Sequence, residues 1–172
     1  MPSLPRSLVA GIVLGVLATP LPGIAQQQGG MPGMTMHETK SASPYHPGLG
    51  DLMTALVQPR HIKLGLAGNE KNWDYAAYAL GELRETFEAV GKLVPKHGNM
   101  EIPPAIASTV TPAMLALDTA IKAKDSAAFS KAFGDLTASC NACHQSAEHP
   151  MIVIQAPTVS AFPDQDFRAP KP

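Results

Sequence analysis

Cys140-Asn141-Ala142-Cys143-His144 is the stretch around which the remainder of this sequence arranges itself. Two thiols three residues apart, with an imidazole directly after the second, form the C-x-x-C-H pattern of covalent c-type haem attachment. At that spacing the thiols reach the two vinyl groups of one porphyrin, and the adjacent ring falls under the iron. Cys140 and Cys143 would carry the thioether links. His144 would offer a neutral ring nitrogen as the proximal iron ligand.

Three other chemistries use part of the pattern. A thioredoxin-like C-x-x-C sits after a strand in a βαβ unit, whereas the flanks here are alanine-rich and helical in spacing. A structural zinc site wants about four N/S ligands, usually as two pairs, and the chain has only 2 Cys. A plain disulfide suits an oxidising compartment but leaves His144 without a role. Haem is the reading that uses all three residues.

Working back from the motif, Phe129, Phe133, Leu136, Cys140 and Cys143 advance by alternating steps of four and three. Both thiols therefore continue the face that the aromatics bury, and a haem there would lie against the core. It would add apolar bulk to a chain that is only 5% aromatic. Asp125 is the expected N-cap of this helix, which must stop after His149-Pro150.

Three more helices are expected upstream. Thr111-Pro112 reads as an N-cap followed by proline at the first helical position, with Met114, Leu117 and Ile121 as the buried stripe. Before it, 102–110 is expected to hold a short helical turn, and Lys96 to Glu101, with Gly98-Asn99, a loop. Asn72 is the expected N-cap of a helix running to Pro95, with Ala76, Leu80, Leu83, Phe87, Val90 and Val94 on one face. The first helix runs from Leu49 to about Gly68-Asn69 on Leu49, Met53, Leu56, Arg60 and Leu64. Pro59 removes a backbone donor inside it, so a kink is expected at 55–59.

The ends have a different character. Residues 1–25 read as a signal peptide, with Arg6, the apolar run Leu8 to Leu17, and Gly23-Ile24-Ala25 as cleavage site; Pro20 and Pro22 break the run, which is too short to span a membrane. Residues 26–48 read as a flexible leader. Its Met31, Met34, Met36 and His37 form a soft-ligand cluster of the kind that holds Cu(I). Residues 49–149 then form one domain, and 150–172 a loosely packed, extended, proline-rich tail that includes the apolar Met151 to Ile154. Removal of 1–25 takes away one of 13 basic residues and none of the 14 acidic ones. The mildly acidic remainder argues against a nucleic-acid partner.

Four amphipathic segments with C-x-x-C-H at the end of the last resemble the class II cytochromes c, the cytochrome c prime family and its low-spin relatives. Class I cytochromes c carry the motif near the N-terminus instead. The resemblance covers about Leu49 to His149. It implies an all-α antiparallel four-helix bundle with one haem c attached near the C-terminal end of the fourth helix, through Cys140 and Cys143, with His144 as proximal ligand. In low-spin members a first-helix methionine binds the other face of the iron, and Met53 falls near that place. His61 is the rival sixth ligand, although eight residues from Met53 it is turned about 80° around an ideal helix; its alternative is a surface histidine beside Arg60 and Lys63. His37, His46, His97 and His149 read as surface histidines.

The functional expectation is a periplasmic electron carrier, since a Met/His-ligated haem is closed to substrates and passes one electron at its edge. Its partners would be periplasmic redox proteins, with a homodimer through the first two helices as the family's habit. The chain shows no G-x-S-x-G, H-E-x-x-H or nucleotide-binding glycine loop, so no enzyme is expected; His61 is the one candidate for a peroxidase-like acid–base residue. The alternative is a nitric oxide or carbon monoxide carrier or sensor, open on the distal side between Leu52 and Leu56 if Met53 points away. Copper handling by the leader is a third.

Overall fold

The structure, a computed structural model, describes residues 45–171. The candidate signal peptide and the Met31, Met34, Met36 and His37 cluster lie outside the described residues. The fold class is all-α, with one tiny sheet. Helix α1 is a continuous run of Leu49–Leu52, a π-helical Met53–Val57, and Gln58–Asn69; it is followed by α2 (Trp73–Leu93), α3 (Ile102–Thr109), α4 (Thr111–Ala123) and α5 (Ser126–Ser146). Strands β1 (Lys96–His97) and β2 (Met100–Glu101) pair antiparallel, His97 opposite Met100, where the sequence suggested only a loop.

The core follows the stripes. Ala76, Leu80, Leu83, Phe87 and Val90 of α2, Met114, Leu117 and Ile121 of α4, and Phe129, Phe133 and Leu136 of α5 are all buried. Helix α1 packs on α2 and α5, and α4 packs on α2 and α5; the short α3 lies against α2, α4 and α5. Among the described residues no single helix is long and apolar enough to cross a membrane, and α3 meets α4 at a 43° bend.

Pro59 does more than kink α1. It offers no N–H to the carbonyl of Ala55, and the chain widens into the π turn, where the Gln58 N–H reaches back to Met53 O. Arg60 Nη1 donates to Leu56 O at 3.1 Å and satisfies a second carbonyl of the same turn. A π turn takes up one extra residue, so it slows the rotation of the helix face. Leu49, Met53, Val57 and His61, each four apart, consequently face one cavity. In an ideal helix Met53 and His61 would diverge by about 80°.

Three helix ends close in the same way. Lys71, Lys124 and Glu148 take left-handed φ values of 55°, 54° and 62°. The paired backbone bonds are Asn72 N to Ala67 O with Lys71 N to Gly68 O, Asp125 N to Ala120 O with Lys124 N to Ile121 O, and His149 N to His144 O with Glu148 N to Gln145 O. This is the Schellman arrangement, built without its usual glycine. The expected Thr111 N-cap is corrected: Thr111 is already helical, and its hydroxyl donates to Ile106 O of α3 at 3.3 Å. With α3 running almost directly into α4, the cap has no exposed amide to serve. Asn72 and Asp125 cap as expected, accepting from Tyr75 N and from Ala127 N and Ala128 N.

The tail is extended and mostly exposed, as expected, but it is anchored at particular residues. Phe167 is buried, and Asn72 Nδ2 donates to the carbonyls of Phe167 and Arg168 at 3.2 and 3.1 Å. Phe162 lies under the Lys63 ammonium at 4.6 Å. Sequence reading missed this because the anchors are single aromatics in a proline-rich segment with no periodicity. Asn72→Ala is expected to lose the cap and both tail bonds, about 2 kcal/mol. Denaturant unfolding would report the loss, and limited proteolysis would show faster cleavage within 150–172; unchanged cleavage would contradict the anchoring role.

Candidate functional site

The C-x-x-C-H residues occupy the last two turns of α5, where its face leaves the core and borders open space. Cys140, Cys143 and His144 are half-buried, and both cysteines are free thiols. Burial first, and the neighbouring Cys143 second, push the Cys140 thiol up to about 11; burial also raises Cys143. Reactive C-x-x-C pairs need the opposite shift, usually from a helix N-terminus or a nearby cation. Here the pair sits near a helix C-terminus, where the dipole disfavours a thiolate. Neither feature activates the pair as thiolate nucleophiles.

His144 is oriented from outside its own helix. After the left-handed turn at Glu148 the chain doubles back, and the Ile152 carbonyl meets His144 Nδ1 at 2.9 Å. A carbonyl can only accept, so Nδ1 carries the proton and Nε2 keeps its lone pair. Metal-ligating histidines are commonly fixed in this way. The returning segment is itself clamped by the motif: Asn141 Nδ2 donates to Ile154 O at 2.9 Å, and Asn141 Oδ1 accepts from Ile154 N at 2.7 Å. Asn141, a variable position of the pattern, thus positions the carbonyl that positions His144. Sequence reasoning missed it, since 151–154 read only as part of an extended tail.

Asn141→Ala is expected to cost about 2 kcal/mol through the two lost hydrogen bonds. It should also free the His144 ring, which NMR would detect as faster exchange of the Nδ1 proton. An unchanged exchange rate would show that Ile152 is held by other contacts.

Cys140, Cys143 and His144 line a cavity together with Leu49, Met53, Val57 and His61 of α1, Ile102 and Ile106 of α3, and Val110. Its enclosed space is about 170 Å³, with the rest open to solvent. The expected distal residues Leu52 and Leu56 do not line it. Leu52 is buried in the core, and Val57 lines the cavity instead.

Both distal candidates are at this cavity. Met53 is partly buried against the core cluster. His61 is not on the surface: it is 3% exposed, stacked on Phe133 at 4.6 Å between ring centres, with Nε2 2.9 Å from Thr137 Oγ1. Burial lowers its basicity to about 4, so it is neutral at physiological pH. His97 and His149, read as surface histidines, come from β1 and the turn after α5 to the cavity rim, with ring centres 5.7 Å apart. His46 is exposed, as expected.

Among the described residues no three His, Cys, Asp or Glu side chains gather as a metal cluster. A haem does not need one, because its porphyrin supplies four ligands and the protein only the axial ones. The residue types present fit such a group: two thiols and an oriented imidazole from α5, a thioether and an imidazole from α1, and apolar side chains in the same lining. No protein-family model, no curated protein and no solved structure matches this chain.

Proposed function

We propose that this chain is a single-haem c-type cytochrome of the periplasm, a four-helix bundle that carries one electron between protein partners and is not an enzyme. Cys140 and Cys143 would hold the haem and His144 Nε2 would bind its iron, with Met53 and His61 of α1 as the candidates for a second iron ligand. The reading is carried by one observation. Both thiols of the motif, the His144 ring locked by Ile152 with Nε2 free, and both α1 candidates border a single largely apolar cavity.

When bound, the haem supplies a one-electron couple at iron. The protein's part is to keep that couple tethered, oriented and dry. As thioethers Cys140 and Cys143 would carry no charge in the apolar wall. The Ile152 carbonyl makes His144 the stronger donor by accepting its Nδ1 proton. Val57, Ile102, Ile106 and Val110 give the cavity an apolar lining. A second ligand from α1 would close the iron to substrates.

The test is the visible spectrum of the holoprotein, oxidised and reduced, with and without carbon monoxide. A low-spin spectrum that ignores the gas, together with a reversible one-electron titration, is expected. A high-spin spectrum that shifts with the gas would replace electron transfer by gas binding.

A further inference from the structure

The rim of the cavity carries a second set of donors that the haem reading leaves unused. His149 Nδ1 donates to Ala147 O within its own turn. That fixes the tautomer and leaves Nε2 as a lone pair on an exposed side chain. Among the described residues His97 makes no side-chain hydrogen bond, and neither of its ring nitrogens is a buried orphan, so both are open to solvent. The two rings line the cavity with their centres 5.7 Å apart. Met100 stands directly across the β1–β2 pair from His97. Opposite residues of such a pair share a face, and Met100 lines the same cavity.

The spacing admits one shared ion. With a metal–nitrogen bond of about 2.0 Å, each imidazole centre lies about 3.2 Å from the metal, so centres 5.7 Å apart open an angle of about 125° there. Both backbones are already fixed: His97 in the two-stranded pair, and His149 by its N–H to His144 O in the turn that closes α5. Ligands held in place beforehand lose little entropy on binding. The donor set selects the metal. Two neutral imidazoles and a thioether, with no carboxylate among them, suit copper, Cu(I) above all, whereas calcium and magnesium want oxygen. Lys96 and Glu101, which flank the two strand donors, pair with each other at 3.4 Å and leave no net charge beside them.

We propose that His97 and His149 bind one copper ion at the rim of the cavity, through His149 Nε2 and one ring nitrogen of His97, with Met100 as a thioether ligand. The site uses none of Cys140, Cys143 and His144 and does not depend on the haem reading.

The test is anaerobic titration of the full chain with Cu(I), followed by removal of free metal and a count of bound copper by elemental analysis. Wild type should hold one more copper ion than His97→Ala and one more than His149→Ala. Met100→Leu should lose affinity for Cu(I). The methionines of the leader and both cysteines are the same in every variant, so any copper they take cancels in the comparison. Neither histidine belongs to the buried core, and circular dichroism of the variants should match wild type. Loaded with Cu(II), wild type should show imidazole-nitrogen splitting in its electron paramagnetic resonance spectrum that both histidine variants lack. The same copper count in wild type and both histidine variants overturns the proposal, and so does a count that falls in only one of them. Covalent haem is scored separately by intact mass, so its absence would overturn the haem reading without altering the copper comparison.

Discussion

Gly68→Ala is expected to destabilise the protein by about 3 kcal/mol or more, close to 10 °C in Tm for a domain of this size. A Cβ at Gly68 would overlap the edge of the Phe129 ring. That ring cannot withdraw: it is 1% exposed and held between Trp73 at 6.0 Å and Phe133 at 5.9 Å. Gly65, one turn earlier, lets α1 approach the Phe133 edge and Pro157 of the tail equally closely, with added Cβ distances of 2.6 and 2.7 Å. The two glycines are therefore the reason that α1 can lie flat on α5, which in turn brings His61 to Thr137. Gly81 of α2 is the control, because nothing lies within 4 Å of an added Cβ. Gly81→Ala should stabilise by about 0.5–1 kcal/mol. Denaturant unfolding of both variants checks the pair; a Gly68→Ala protein as stable as wild type would mean that α1 does not lie so close.

Removal of both motif thiols is expected to have the largest functional effect. The Cys140→Ala/Cys143→Ala protein should keep its helices, because neither side chain belongs to the buried core cluster. All of its haem should then pass into acidified organic solvent on denaturation, whereas wild-type haem should stay with the polypeptide. Axial bonds from His144 and the distal side are reversible, and unfolding releases them; thioether bonds survive. Each single variant should retain one link and so resist extraction. Wild-type haem that is fully extractable would remove the covalent reading, and so would a double variant that keeps its haem.

The motif and the long helices were legible in the sequence because each is a local statement. Stripes at steps of three and four marked α2, α4 and α5 almost residue by residue, and Asn72 and Asp125 announced their helices. What stayed hidden is nonlocal or lacks a residue signature. The three Schellman ends use Lys71, Lys124 and Glu148, where a reader looks for glycine. The β1–β2 hairpin is two residues a side. Pro59 signalled a kink, but only the structure shows that the compensation is a π turn that realigns Met53 with His61.

The site divides along the same line. Cys140, Cys143 and His144 needed only their spacing. The burial of His61 depended on Thr137, seventy-six residues away, and no periodicity in α1 carries that partner. The clamp from Asn141 to Ile154, and through Ile152 to His144, joins a helix to an irregular segment. The rim pair His97 and His149 likewise comes from two turns that only the fold brings together.

The intact mass of the full chain, produced where c-type haem is attached and measured under denaturing conditions, tests the central claim most directly. The account predicts the mature polypeptide plus one haem, with no hydrogens lost, since each thiol adds across a vinyl group. The mass of the bare polypeptide, or one lower by the two hydrogens of a Cys140–Cys143 disulfide, would contradict it.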